Sequence, residues 1–155
     1  VTAPTLIFGW GNPSRGDDAL GPALLDAVEA LRDAHPQWGP VDILTDFQLQ
    51  VEHALDLEGR ERVLFVDASA AVADAPFRAE AIAPAKDSSF TSHALSPQGV
   101  MHVYAEIKGS APPPCTLLAI AGETFELGEP LSPAAKSHLK AALAWTKDWL
   151  AARPA

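Results

Sequence analysis

Four short, mainly apolar runs punctuate the chain: Thr5-Leu6-Ile7-Phe8, Val41-Asp42-Ile43-Leu44, Arg62-Val63-Leu64-Phe65-Val66 and Thr116 to Ala121. Runs of this length with little polar alternation are the pattern of strands covered on both faces. Phe77 to Ile82 alternates apolar with polar or small residues and reads as a more exposed edge strand. Between the strands the period changes. Leu20, Leu24, Leu25, Val28 and Leu31 recur at helical spacing, with Glu29, Arg32 and Asp33 between them and Pro22 in the first turn, where a missing N–H costs little. A shorter helical stretch runs from Leu49 to Leu57, another from Gln98 to Ile107, and a closing amphipathic helix from Pro133 to Ala151 sets Leu139, Leu143, Thr146 and Leu150 on one face. Ala83 to Ser92 is loop-like, and Ala111-Pro112-Pro113-Pro114 is a stiff connector.

Strands alternating with helices imply right-handed βαβ units, and these wind into a mostly parallel sheet with helices on both faces. The expected fold class is α/β, a three-layer α/β/α sandwich around a twisted sheet of about five strands. In such sheets the functional crevice lies at the carboxyl ends of the strands. The loop from Gly9 to Asp18, then Asp46, then Asp67 each follow a predicted strand directly, so the fold gathers three carboxylate-bearing segments along one rim.

At 155 residues the chain suits one domain, expected to span residues 1–155. The formal charge of -9 opposes binding to nucleic acid phosphates or anionic lipid and steers basic partners toward the protein. Cys115 is the single cysteine, with neither a disulfide partner nor a Cys-x-x-Cys neighbour, which fits a reducing cytoplasm. No apolar run approaches the ~20 residues of a membrane span, and the first residues lack the pattern of a secretory signal. A cytoplasmic protein with no nucleic acid or membrane partner is expected, working as a monomer.

The loop Gly9-Trp10-Gly11-Asn12-Pro13-Ser14-Arg15-Gly16-Asp17-Asp18 invites a phosphate-binding reading, because Gly-x-Gly after a strand and before a helix begins dinucleotide sites. The third glycine is absent at position 14, however, and two aspartates sit where a helix N-terminus would face a phosphate. Either aspartate alone suits a helix cap. Asp67 alone suits a turn, and His93 a loop. Together, two carboxylates from neighbouring strand ends and one imidazole make an O, O, N set able to hold nickel or zinc with coordination positions open. Asp46 is either a general base or orienting group at the same rim or a turn residue. Gln48 and Glu52, four apart, share one face of the short second helix and are candidates to meet a peptide substrate. Trp10 either docks substrate beside the rim or folds back onto the core. Trp145 and Trp149 are core packing, and Cys115 is a buried, inert thiol. His53, His102 and His138 fall within predicted helices, and no serine has a nucleophile-elbow context.

Gly9-Trp10-Gly11-Asn12-Pro13 through Gly16-Asp17-Asp18-Ala19-Leu20-Gly21 resembles the N-terminal signature of the hydrogenase maturation proteases, with Val66-Asp67-Ala68 similar to their second motif and Ser92-His93-Ala94-Leu95-Ser96-Pro97 to their histidine-bearing segment. The resemblance implies a nickel-dependent endopeptidase that removes a C-terminal extension from the large-subunit precursor of a nickel-iron hydrogenase once nickel has been inserted. Carried over by motif, the metal ligands are Asp18, Asp67 and His93, which together with Asp46 make up the expected catalytic set. Many relatives have glutamate where this chain has Asp18, so Asp17 is an alternative first-loop ligand. Ala19 replaces a common glycine, and Gln48-Leu49-Gln50-Val51-Glu52 stands where others carry a glycine-rich loop, which bears on substrate choice. The same residues also suit a non-proteolytic, nickel-recognising chaperone or checkpoint protein.

Overall fold

The computed structural model describes residues 2–87 and 94–152. Within these residues five strands form one sheet: β1 (Thr5–Trp10), β2 (Val41–Asp46), β3 (Arg62–Ser69), β4 (Phe77–Ile82) and β5 (Cys115–Ala121). Their order is β2-β1-β3-β5-β4, parallel except for the antiparallel β4–β5 pair at one edge. Among the described residues three α-helices cover it: α1 (Leu20–Arg32), α2 (Pro97–Lys108) and α3 (Pro133–Ala151). This is the expected three-layer sandwich.

Strand alternation sorts the core into two layers. Ile7, Leu64, Val66, Leu118 and Ile120 face α1 and α3, with Leu24, Val28, Ala142 and Leu150 packed on them. Leu6, Phe8, Trp10, Val63 and Phe65 face the other way, onto Val100, Met101 and Tyr104 of α2 and onto Ala54 and Leu57 of a 3-10 helix spanning Val51–Leu57. Each fully buried Leu, Ile or Phe contributes about 1.5–3 kcal/mol, so the two layers carry most of the driving force.

Two glycines seat α1 against the sheet. A Cβ on Gly9 would lie 2.7 Å from Leu25 Cδ1 and 3.0 Å from Gly21 O, and one on Gly21 would lie 2.7 Å from Trp10 O and 3.0 Å from Val66 O. With both side chains absent, the first turn of α1 rests directly on the backbones of β1 and β3. The loop joining β1 to α1 is thereby held over the carboxyl ends of the strands.

Several boundaries differ from expectation. β2 runs on through Asp46 and β3 through Ser69, so Asp46 is the last residue of its strand and Asp67 lies inside β3, paired with Ala119 of β5. Continuing β-ladder hydrogen bonds outweigh the turn preference of aspartate there. A 3-10 helix, Gly16–Ala19, separates the first loop from α1. Neither Asp17 nor Asp18 caps α1, whose N-cap is Ala19 with no side-chain cap bond. The predicted helix over Leu49–Leu57 is the tighter 3-10 helix and starts only at Val51.

Candidate active site

The carboxyl rim of β2, β1 and β3 is organised around Gly11. Its φ of 141° lies in the region that favours glycine, and a Cβ there would fall 2.0 Å from Asp18 O. The loop can therefore fold back tightly enough for the Asp18 carboxylate to accept a hydrogen bond from Asn12 N at 2.7 Å. The neighbouring N–H, that of Gly11, donates to the Asp46 carbonyl at 3.1 Å. Consecutive amides of one loop thus tie Asp18 on one side and the end of β2 on the other.

Asp17 has a different fate. It is fully buried, and its carboxylate accepts from Glu123 N (2.7 Å), Thr124 N (3.2 Å), Ser132 N (2.8 Å) and the Ser132 hydroxyl (2.8 Å). Burial alone would raise its pKa, but the hydrogen bonds from Glu123, Ser132 and Thr124 together outweigh it and hold the carboxyl below its ordinary range. Ser132 in turn caps α3 through Ala135 N. The segment from Glu123 to Ser132 is further bonded to the first loop through Gly16 N to Glu129 O, Asp17 N to Thr124 O and Gly128 N to Ser14 O. Asp17 is therefore the internal tie of a two-loop unit, with its oxygens occupied, while Asp18 retains capacity to bind a ligand. Nothing in the sequence reading singled out Glu123–Ser132; the Ser132-Pro133 pair at the start of the closing helix was its one local signal.

Asp67 points to the α2 side of the sheet, since it shares the alternation of Val63 and Phe65. Burial pushes its carboxyl up to about 7; one backbone hydrogen bond, from Ala68, counteracts this and the charge of Asp18 adds to it. Two acidic groups thus face the same rim space, and among the described residues one backbone hydrogen bond, from Ala68, offsets the burial of Asp67. A carboxylate in that condition is a frequent mark of a functional site. His93 lies outside the described residues. Among those described, no group of three His, Cys, Asp or Glu side chains is close enough to hold a metal ion. C-terminal to His93, Leu95 N donates to Leu49 O at 3.0 Å, and the Ser96 N–H and hydroxyl are both bonded to Asp87.

Asp46 accepts from Phe47 N at 2.7 Å and faces His53 Nε2 at 3.2 Å. It also lines a groove of about 370 Å3 whose other walls are Gly11, Pro13, Pro22, Asp26, Thr45 and Phe47. In the sequence His53 reads as one more helical residue, and nothing in its spacing from Asp46 marks the pair. A cavity of about 520 Å3 beside Arg32, His35 and Asp42 lies at the opposite end of the strands, away from the acidic rim.

Two sequence expectations change and a third, the inert Cys115, holds. Trp10 is buried at 9% exposure, edge-on to Phe65 at 6.0 Å between ring centroids and to Phe8 at 6.4 Å, so it belongs to the core instead of presenting a docking surface. Gln48 and Glu52 do not share a helix face: Gln48 precedes the 3-10 helix, and in 3-10 geometry positions three apart align, not four. Glu52 is exposed and Gln48 partly buried. Cys115 is buried with its thiol bonded to Pro113 O, and burial pushes its pKa up to about 12, which leaves it an inert thiol.

Comparison with known proteins supports the same architecture. The chain is similar in fold to the hydrogenase maturating endopeptidase HybD from E. coli, with a TM-score of 0.70 at 22% identity, covering 94% of this chain and 91% of that one. It is also similar to the NiFe hydrogenase maturation protease HycI from Thermococcus kodakarensis, with a TM-score of 0.68 at 22% identity over 96% and 93% of the two chains. A hydrogenase 2 maturation peptidase from a Thaumarchaeota archaeon superimposes with a TM-score of 0.65 at 21% identity over 94% and 97%. No family model and no curated protein sequence matches the chain. The shared property is the α/β fold, along nearly the whole length of each protein.

Proposed function

We propose that the chain is an endopeptidase that removes the C-terminal extension of a nickel-iron hydrogenase large-subunit precursor after nickel insertion. The observation that carries this reading is the acidic rim: Asp18, turned in by the Gly11 loop, beside Asp67, whose carboxyl is raised to about 7 by burial and by the Asp18 charge. Two carboxylates so arranged gain most from a divalent cation, and the fold is shared with hydrogenase maturation proteases. The nickel ion enters as part of the substrate. Asp18, Asp67 and His93 would hold it, a hard and borderline donor set that leaves positions open. The ion supplies Lewis acidity near the scissile carbonyl.

The protein's own residues supply the rest. Asp18 and Asp67 align the precursor's metal-bearing end against the rim, and Asp46 accepts a proton from the attacking water. The described helices include none long and apolar enough to cross a membrane, and a cytoplasmic site of action is part of the proposal. The test is to incubate the purified protein with nickel-loaded precursor and follow the large subunit by mass spectrometry. A shortened product is expected, and His93→Ala should abolish it without lowering the unfolding midpoint. Binding without cleavage would point to a chaperone or checkpoint role.

A further inference from the structure

His53 sits on the 3-10 helix after β2 with both ring nitrogens engaged. Nδ1 lies 2.8 Å from Gln50 N. A backbone N–H can only donate, so Nδ1 is the acceptor and the ring proton is on Nε2, 3.2 Å from Asp46 Oδ2. The ring is packed edge-on against buried Phe8 at 4.6 Å between centroids, and the side chain is 12% exposed. Asp46 is by contrast 44% exposed; its Oδ1 accepts from Phe47 N at 2.7 Å, and His53 is the partner of the other oxygen, Oδ2. Its carbonyl holds Gly11, the residue adjoining the amide that holds Asp18.

We propose that His53 is a positioning residue: fixed in the Nε2–H tautomer by the Gln50 amide and by Phe8, it donates to Asp46 and sets the orientation of that carboxylate at the rim. The proposal rests on the cleavage reading above, in which Asp46 takes the proton of the attacking water. The histidine adds a second anchor to a carboxylate otherwise held only through Oδ1 by the Phe47 amide, and so fixes its direction, as the supporting partners of catalytic bases do.

The two nitrogens allow the roles to be separated. In His53→Asn the side-chain oxygen takes the place of Nδ1, so the Gln50 amide keeps its acceptor while Asp46 loses its donor. In His53→Gln the terminal amide reaches the place of Nε2, so Asp46 keeps a donor while the Gln50 amide loses its acceptor. With nickel-loaded precursor as substrate, His53→Asn should lower kcat about tenfold or more with KM within about twofold, whereas His53→Gln should recover most of the rate. Thermal stability should rank the other way, with His53→Gln melting about 2–4 °C lower for the lost capping bond.

A purely structural histidine would give the same rank order for rate as for stability, and that result overturns the proposal. So does a long-range 15N NMR spectrum showing the proton on Nδ1, whatever the enzyme does. If the wild type leaves the precursor uncut, the cleavage reading fails and the positioning role with it. Cleavage that His53→Asn retains in full overturns the positioning role alone.

Discussion

The two ends of the sheet treat buried charge in opposite ways. At the amino end, Arg62 is 8% exposed and engages all three of its side-chain nitrogens: Nε donates to the Thr5 hydroxyl, and the two terminal nitrogens donate to the carbonyls of Trp149, Leu150 and Ala152 at the end of α3. Its plane also lies over the Trp149 ring, 4.2 Å from the centroid. At the carboxyl end, Asp67 is pushed up to about 7 and receives one backbone hydrogen bond, with the like charge of Asp18 nearby. One buried charge is met by four hydrogen bonds and closes a helix onto the sheet. The other lacks a counter-charge among the described residues, and that deficit is what a cation-bearing substrate would make good. The same contrast is repeated within two consecutive residues, where Asp17 is saturated and Asp18 is not.

The sharpest way to break this contrast is to cut both members of the aspartate pair. Asp17→Ala strips the acceptor from three backbone N–H groups and one hydroxyl in a buried place, and should cost about 3–5 kcal/mol of stability in urea unfolding. Asp18→Ala removes one hydrogen bond at a partly open position, and should cost about 1 kcal/mol or less while abolishing processing. Equal stability losses would mean that Asp18 is as structural as its neighbour. Arg62→Leu comes next. Leaving the last carbonyls of α3 and the Thr5 hydroxyl without their donor should cost about 3 kcal/mol, yet the per-molecule rate of precursor cleavage should be unchanged below the unfolding midpoint. A fall in that rate would show that the two ends are coupled.

How much of this was legible in the sequence depends on the range of the interaction. The strands and α3 were readable because their apolar periodicity is local: the closing helix spans Pro133–Ala151 as expected, with Thr146 and Leu150 buried. The rim was readable through topology, since residues at the carboxyl ends of parallel strands must converge. The partition between Asp17 and Asp18 was not, because it is decided by Glu123, Thr124 and Ser132, more than a hundred positions away. Trp10 was undecided for a similar reason. Strand parity places it with Phe8 on the α2 side, but whether that side is covered so close to the rim depends on Phe65 from a different strand. Asp46 and His53 are near in sequence, yet their pairing needed the 3-10 geometry that apolar spacing does not encode.

The smallest effect, and the most direct reading of the unpaired charge, is the dependence of stability on pH. Asp67 has a folded pKa of about 7 against an ordinary 3.8, so between those values the native state holds a proton that the unfolded state has released. Stability linked to this group is therefore complete below about 4 and is lost as pH rises toward 7. Asp17, whose pKa is lowered, acts in the opposite sense: its contribution is present above the ordinary carboxylate range and is lost as pH falls through its folded value. Asp67→Asn keeps an acceptor for the Ala68 amide and cannot ionise. Relative to wild type, it should therefore gain on the order of 1–2 kcal/mol between pH 5 and pH 8, the full linkage being reduced because the side chain is partly open to solvent. Urea unfolding of both proteins at the two pH values measures this difference directly. A difference that stays flat across the interval would mean that Asp67 has found a partner, and that the carboxyl end of the sheet is as well partnered as the end that Arg62 closes.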